Sequence, residues 1–133
     1  MTPARRYVAD AHALVFHLDG DPRLSAPASA AFDEAERGDA QIIVPIIALA
    51  EIAWLVEKGK LDLKFEEILT AIRRHPNYVI NPLDESRLEC LVKTTGIAEM
   101  HDRFIVCETM LNDATLITAD REIRGAGIVP VVW

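Results

Sequence analysis

The sequence predicts an α/β fold whose parallel sheet is buried on both faces. Short apolar runs alternate with longer segments of helical periodicity. Most of the short runs are apolar at consecutive positions, which is typical of strands that are covered on both sides. Asp10 and Asp120 each follow such a run. Because sites in parallel sheets form beyond the carboxyl ends of the strands, this order also predicts where a site should lie.

The first sixty residues predict two strands and three helices. Gly, Asp and Pro content at 19–22 predicts a turn, Gly38 and Gly59 are plausible helix ends, and Pro45 suits the first turn of a helix. The predicted strands are 6–9 and 41–44, and the predicted helices are 11–18, 25–37 and 46–58. The third helix is apolar nearly all round, so we expect it to be buried on most sides.

The rest of the chain continues the alternation. Phe65, Ile68, Leu69 and Ile72 have amphipathic helical spacing. The predicted helices are 63–74, 84–95, 102–111 and the short turn 120–124, and the predicted strands are 78–80, 115–118 and 128–132. In helix 84–95 we expect an inner apolar stripe, formed by Leu88, Leu91 and Val92.

Composition indicates an ordinary globular protein. Half of the 133 residues are hydrophobic and 26% are charged, so we predict one domain, 1–133. No apolar run reaches the roughly 18 to 20 residues that a membrane span needs. Asp10 and His12 interrupt the apolar stretch near the N-terminus, so we do not predict a signal peptide and expect a cytoplasmic protein with no membrane partner. Cys90 and Cys107 form no C-x-x-C motif, and we expect buried free thiols.

Four acids in apolar surroundings are the candidate site residues: Asp10, Glu51, Asp102 and Asp120. Glu51 is the only charged residue between positions 46 and 56, and an unpaired carboxylate in such surroundings is costly. Each acid also has a simpler interpretation. Glu51 could lie on a wet stripe or pair with an arginine, and the three aspartates could be helix caps or turn residues. Four such acids together favour one shared metal site.

Oxygen ligands suit Mg²⁺ or Mn²⁺, whereas the histidines and cysteines have no zinc-like spacing. His101 adjoins Asp102, but an exposed histidine at a helix start explains it equally well. The net charge of −7 argues against a nucleic-acid partner unless the acids surround a cation. The chain has no nucleotide-binding glycine loop and no G-x-S-x-G elbow. A haloacid-dehalogenase-like phosphatase would need an Asp at His12, and a response-regulator receiver an Asp at Asn81.

The order of four motifs resembles the PIN-domain family, and within it the VapC toxins of VapBC toxin–antitoxin pairs. These motifs are Asp10 after the first strand, Glu51 in P-I-I-A-L-A-E-I, Asp102 in H-D-R-F-I and Asp120 in L-I-T-A-D. The resemblance covers the whole chain. It implies a three-layer sandwich with a five-stranded parallel sheet and helices on both faces.

The resemblance also implies a function. It predicts an Mg²⁺- or Mn²⁺-dependent endoribonuclease that leaves a 5′-phosphate and a 3′-hydroxyl, with Asp10, Glu51, Asp102 and Asp120 as metal ligands. Thr118 matches a supporting hydroxyl residue, whereas Ala11 stands where the family often has a second hydroxyl. Expected partners are RNA, a VapB-like antitoxin and a second copy of the chain. Candidate RNA contacts are Arg5, Arg6, Lys58, Lys60, Arg73, Arg74 and Arg103.

Two other functions share these features. A PIN-like module could keep its acids for metal or protein binding without catalysis. A DNA-directed flap nuclease uses the same chemistry, but such enzymes carry additional DNA-binding elements for which 133 residues leave little room.

Overall fold

Five parallel strands form one sheet in the computed structural model, which describes residues 5–133. The strands are β1 (Arg5–Ala9), β2 (Ala40–Pro45), β3 (Tyr78–Asn81), β4 (Thr115–Ile117) and β5 (Val131–Val132). Their order across the sheet is β3-β2-β1-β4-β5, so the first strand lies at the centre. The start of the N-terminal stretch that we considered as a signal peptide, residues 1–4, lies outside the described residues.

Helices fill the connections between the strands. They are α1 (Ala11–Asp19), α2 (Ala26–Glu36), α3 (Ile46–Glu57), α4 (Phe65–Arg74), α5 (Glu85–Lys93), α6 (Met100–Leu111) and α7 (Arg121–Ala126). Consecutive residues of β1 and β2 are buried, among them Val8, Ala9, Ile43 and Val44. Because consecutive strand residues point to opposite faces, both faces of the sheet are covered. The α/β fold with a parallel sheet is therefore confirmed.

The capping residues explain several helix boundaries. Ser25 and Asp84 accept hydrogen bonds from backbone N–H groups in the first turns of α2 and α5. Helix α6 begins earlier than predicted, because Glu99 caps it through the N–H of Asp102. The last strand is shorter than predicted, with only Val131 and Val132 paired.

Two predictions of burial are wrong. Helix α5 has no buried residue, and Leu88 and Val92 are 54% and 74% exposed. Helix α3 buries Ala48, Leu49 and Ile52, while Trp54 on another side is 57% exposed. Apolar periodicity shows which residues share a helix face, but it does not show whether the same chain covers that face.

A buried ion pair holds α5 against α6. Glu108 is 2% exposed and accepts hydrogen bonds from Arg87 Nε and Nη2, each 2.8 Å long. Asn81 at the end of β3 and Asn112 after α6 also donate to Glu108 Oε1. Burial raises the pKa of Glu108, but its bonds with Arg87 and Asn81 outweigh that effect, and the net pKa is lowered. Glu108 therefore stays ionised inside the fold.

The two cysteines are free, as predicted, but only one is fully buried. Cys107 is buried and Cys90 is half-buried. Thr94 lies between them, with its Oγ1 3.4 Å from Cys107 Sγ. Burial raises the pKa of the Cys107 thiol to about 12, so it stays protonated at neutral pH.

Candidate metal-dependent nuclease site

The order of the strands brings the carboxyl ends of β1 and β4 side by side. The backbone N–H of Asp10 donates to the carbonyl of Ile117, at 3.3 Å, directly beyond the paired residues Ala9 and Ile117. Asp120 follows three residues later and starts α7. The two strand-end acids, which are 110 positions apart in the sequence, therefore meet at one edge of the sheet.

A cavity of about 500 Å³ opens at this edge. All four predicted acids line it, and they come from four separate segments of the chain. The other titratable groups in its wall are Glu99, His101 and His12. Its apolar wall includes Phe16, Ile47 and Ile105. The structure thus collects five carboxyl groups and two imidazoles around one space.

Asp10 is the most firmly fixed of the acids. Its Oδ1 accepts a hydrogen bond of 2.8 Å from the N–H of Ala13, and its Oδ2 accepts one from the hydroxyl of Thr118. Thr118 Oγ1 in turn accepts the N–H of Asp120 at 3.0 Å. Thr118 therefore connects two of the predicted site acids. Burial raises the pKa of Asp10, and the bonds from Thr118 and Ala13 oppose that effect without reversing it.

Two of the four acids are helix caps, as the simpler interpretation predicted, and both also line the cavity. Asp10 and Asp120 both cap helices, since their carboxylates accept N–H bonds from Ala13 and Ile123. Asp102 is not a cap, because Glu99 has that role in α6. No arginine among residues 5–133 pairs with Glu51, whose carboxylate lies 3.9 Å from His12 Nδ1.

Asp102 is the acid whose ionisation the surroundings change most clearly. Partial burial, followed by the negative charges of Asp120, Glu99 and Glu51, raises its pKa to about 7. A carboxyl group with such a pKa is only partly ionised at neutral pH. This shift shows that the acids of the cavity interact electrostatically, as expected for carboxylates that lack a neutralising partner.

The sequence interpretation missed Glu99 as a site residue. Glu99 lies in an irregular segment before α6, where no periodic pattern marks it. Its Oε1 is 2.6 Å from His101 Nδ1, and its Oε2 accepts the N–H of Asp102. The hydrogen bond with Glu99 raises the pKa of His101. His101 lies in the first turn of α6, as predicted, and it also lines the cavity.

Several predicted RNA contacts lie away from the cavity. Arg5 and Arg6 begin β1, and at about 3.3 Å per residue that is about 15 Å from Asp10. Arg5 pairs with Glu34 at 2.9 Å. Arg103 does not line the cavity, because its Nε and Nη2 both donate to the carbonyl of Ile97, at 2.9 and 2.6 Å. Arg103 instead fixes the segment that leads to Glu99.

The donor chemistry of the cavity fits a hard divalent cation. The wall offers carboxylate oxygens and a negative local charge, and Mg²⁺ commonly keeps several waters while one or two carboxylates bind it directly. Within residues 5–133, however, no three side chains of His, Cys, Asp or Glu stand close enough to hold one ion together. Joint ligation by Asp10, Glu51, Asp102 and Asp120 therefore stays a prediction.

Solved structures share the whole architecture. A chain of VapBC2 from Rickettsia felis, solved bound to a DNA fragment from its promoter, is 15% identical with a TM-score of 0.72, over 95% of this chain and 96% of that one. A chain of FitAcB from Neisseria gonorrhoeae is 18% identical with a TM-score of 0.63, over 94% of this chain and 95% of that one. A chain of a toxin–antitoxin complex from Klebsiella pneumoniae is 14% identical with a TM-score of 0.60, over 92% of this chain and 94% of that one. The five-stranded, PIN-like α/β fold that the resemblance implied is thus confirmed.

By sequence, no family model matches the chain, and no curated protein matches it. No helix within residues 5–133 is both long enough and apolar enough to cross a membrane.

Proposed function

We propose that the protein is an Mg²⁺- or Mn²⁺-dependent endoribonuclease that hydrolyses RNA phosphodiester bonds. The observation that carries this proposal is the convergence of Asp10, Glu51, Asp102 and Asp120, from four segments, on one cavity at the carboxyl edge of the sheet. A fold without catalytic or metal-binding demands has no reason to keep interacting carboxylates together, because their repulsion opposes folding.

The chain's own residues prepare the cavity for hydrolysis. Thr118 and the N–H of Ala13 hold the Asp10 carboxylate in one orientation, and Asp120 is held by the N–H of Ile123. Asp102, whose pKa is about 7, would be ionised more fully if it held a cation. When bound, a divalent ion supplies charge stabilisation at the phosphate and activation of the attacking water. Attack breaks the bond between phosphorus and the 3′ oxygen, leaving a 5′-phosphate and a 3′-hydroxyl.

We further propose that the protein is the toxin of a type II toxin–antitoxin pair. The fold that it shares with chains of VapBC2, FitAcB and a toxin–antitoxin complex supports this assignment. A VapB-like antitoxin would then be its protein partner. The exposed apolar residues Leu88 and Val92 on α5 are suited to contact with a second copy of the chain. We place this activity in the cytoplasm, where an RNA substrate is available.

The alternative function is a PIN-like module that binds metal or protein without catalysis, and one observation favours its protein-binding form. It is the spacing of the acids, of which no three among residues 5–133 stand at direct-ligand distance from one ion.

The deciding experiment incubates purified protein, free of any bound partner, with a mixed RNA pool in Mg²⁺, in Mn²⁺ and in EDTA. Asp10→Asn is the matched variant, because it keeps the size of the side chain and removes its charge. We expect cleavage that requires metal and is lost in the variant, with 5′-phosphate ends on the products. Absence of cleavage by folded, metal-supplied protein would favour the non-catalytic module.

A further inference from the structure

A second cavity lies against the acidic one. It has a volume of about 760 Å³ and is lined by His12, Ala50, Glu51, Trp54, Leu55 and His101. Three of these residues, His12, Glu51 and His101, also line the acidic cavity. The two cavities are therefore neighbours that share part of their walls.

Trp54 provides a flat apolar surface in this second cavity. It follows Glu51 by three positions on α3, so the two side chains are neighbours on the helix surface. The indole is 57% exposed, which is unusual for a tryptophan in a small domain. The ammonium group of Lys58 lies 4.5 Å from the centre of its ring. The π surface of Trp54 is thus accessible and already attracts a cation.

Basic side chains stand beside this surface in a chain of net charge −7. Lys58 and Lys60 form no ion pair with any residue in 5–133. Lys60, Arg23 and His12 line a third cavity, of about 240 Å³, so His12 belongs to all three. Lys58 on the ring of Trp54 and Lys60 in the neighbouring cavity thus combine positive charge with an exposed aromatic ring, as in proteins that hold single-stranded nucleic acids.

We propose that Trp54 stacks against a base of single-stranded RNA whose neighbouring phosphate lies in the acidic cavity, while Lys58 and Lys60 contact the backbone. This inference rests on the proposed ribonuclease function and assigns to Trp54 a contact with an RNA base outside the acidic cavity. A base in a duplex is already stacked and cannot reach the indole. An aromatic platform accepts any base, so Trp54 gives a preference for unpaired bases and leaves sequence selectivity to other contacts.

The test separates binding from cleavage. All variants carry Asp102→Asn, so that RNA is bound and not cut. The probes are a fluorescein-labelled single-stranded RNA of about 12 nucleotides and an abasic ribose-phosphate oligomer of the same length. The abasic oligomer keeps the backbone charge and lacks bases. Trp54→Ala is compared with Trp54→Phe, which keeps an aromatic ring, and with Val92→Ala, which alters an exposed apolar residue on α5, outside both cavities.

We expect Trp54→Ala to weaken RNA binding about tenfold and to change the affinity for the abasic oligomer less than about twofold. Trp54→Phe should retain most of the affinity, and Val92→Ala all of it. A second readout uses the chain's only other tryptophan, Trp133. In a Trp133→Phe background, RNA should quench the fluorescence of Trp54 and the abasic oligomer should not. Melting curves verify that each variant is folded.

The inference is overturned if Trp54→Ala binds RNA as tightly as its parent, or loses affinity equally for both oligomers. The first result would assign the second cavity to an apolar segment of a protein partner. Cleavage by the wild-type chain is assayed separately. If Trp54-dependent binding is found without cleavage, the nuclease proposal fails and this inference stands. If RNA is cleaved but binding does not depend on Trp54, the nuclease proposal stands and this inference fails.

Discussion

Thr118 is the side chain on which the geometry of the site depends most. It is fully buried, donates to Asp10 and accepts the N–H of Asp120. A single hydroxyl therefore fixes the relative positions of two strand-end acids. The motif L-I-T-A-D indicated that Thr118 would support Asp120, whereas its bond to Asp10 requires β1 and β4 to be neighbours, which the local sequence does not specify.

Thr118→Val keeps the shape of the side chain and removes the hydroxyl. We expect RNA cleavage to fall by about 10- to 100-fold, because Asp10 loses its fixed orientation. We also expect a loss of about 1 to 3 kcal/mol in the free energy of unfolding, because the N–H of Asp120 loses its acceptor. Cleavage assays and urea denaturation measure the two effects. Thr118→Ser should behave nearly as wild type, and equal activity of all three proteins would contradict the assigned role.

The raised pKa of Asp102, about 7, predicts a dependence of stability on pH in metal-free protein. The folded state holds the proton more tightly than the unfolded state, so stability decreases as pH rises from about 4 to about 7. Asp102→Asn should not show this decrease. Near pH 8 in EDTA we expect the variant to be more stable than wild type by about 1 to 2 kcal/mol, since solvent screens part of the effect. Parallel pH profiles of the two proteins in urea would contradict the prediction.

The predicted acids that the structure brings to one cavity include three with local signals in the sequence. Glu51 stands alone in an apolar helix, and Asp10 and Asp120 follow apolar runs. No local pattern in the sequence marked Glu99 as a site residue or Ile97 as the hydrogen-bond acceptor of Arg103. The carbonyl of Ile97 reaches Arg103 only because the segment before α6 folds back on the helix, and no periodic pattern encodes that path.

At the scale of single elements, a buried charge pair contributes to the contact between α5 and α6. Arg87→Ala would leave the Glu108 carboxylate buried without its cation, and we expect a cost of about 3 kcal/mol. Adding Glu108→Gln should restore part of that loss, because the amide carries no charge. Urea denaturation measures both variants, with Arg73→Ala on the exposed side of α4 as the matched control. If Arg87→Ala lowered the free energy of unfolding no more than Arg73→Ala does, water would be solvating the Glu108 carboxylate in place of Arg87.

The exposed apolar residues of α5 lead to a prediction about the oligomeric state of the protein. Leu88 and Val92 are one turn apart and more than half exposed. If α5 joins two copies of the chain, Leu88→Lys together with Val92→Lys should convert a dimer to a monomer in light scattering at micromolar concentration. Ile46→Lys, at an exposed apolar position of α3, should leave the dimer intact. A wild-type chain that is monomeric in this measurement would remove the homodimer proposal.

Helix α5 also shows where sequence reasoning about elements reaches its limit. Its boundaries were nearly correct, because Asp84 caps its start and the chain leaves the helix at Thr94. Its orientation was wrong, because an apolar stripe is equally compatible with the core of its own chain and with the surface of another molecule. The environment of the strands was easier to predict. Both β1 and β2 have apolar residues at consecutive positions, and only a sheet covered on both faces accommodates that pattern.

At the scale of the whole molecule, the repulsion among the acids predicts that a divalent cation stabilises the fold. We expect Mg²⁺ and Mn²⁺ to raise the melting temperature by several degrees, since a ligand present at 100 times its Kd contributes about 2.7 kcal/mol. NaCl at matched ionic strength should not have this effect, and Asp10→Asn together with Asp102→Asn should abolish it. A wild-type melting temperature that is indifferent to both metals would count against a metal site.

The central position of β1 has a consequence for synthesis in the cell. Asp10 is synthesised well before its hydrogen-bond partner Thr118, which follows 108 residues later. A chain still held in the ribosomal tunnel therefore lacks the strand that completes its acidic cavity. If the protein cuts RNA, it cannot do so next to the messenger that encodes it until β4 and Asp120 have left the ribosomal tunnel. Stalled nascent chains ending at Ile117 should be inactive in a cleavage assay in which released full-length chains are active.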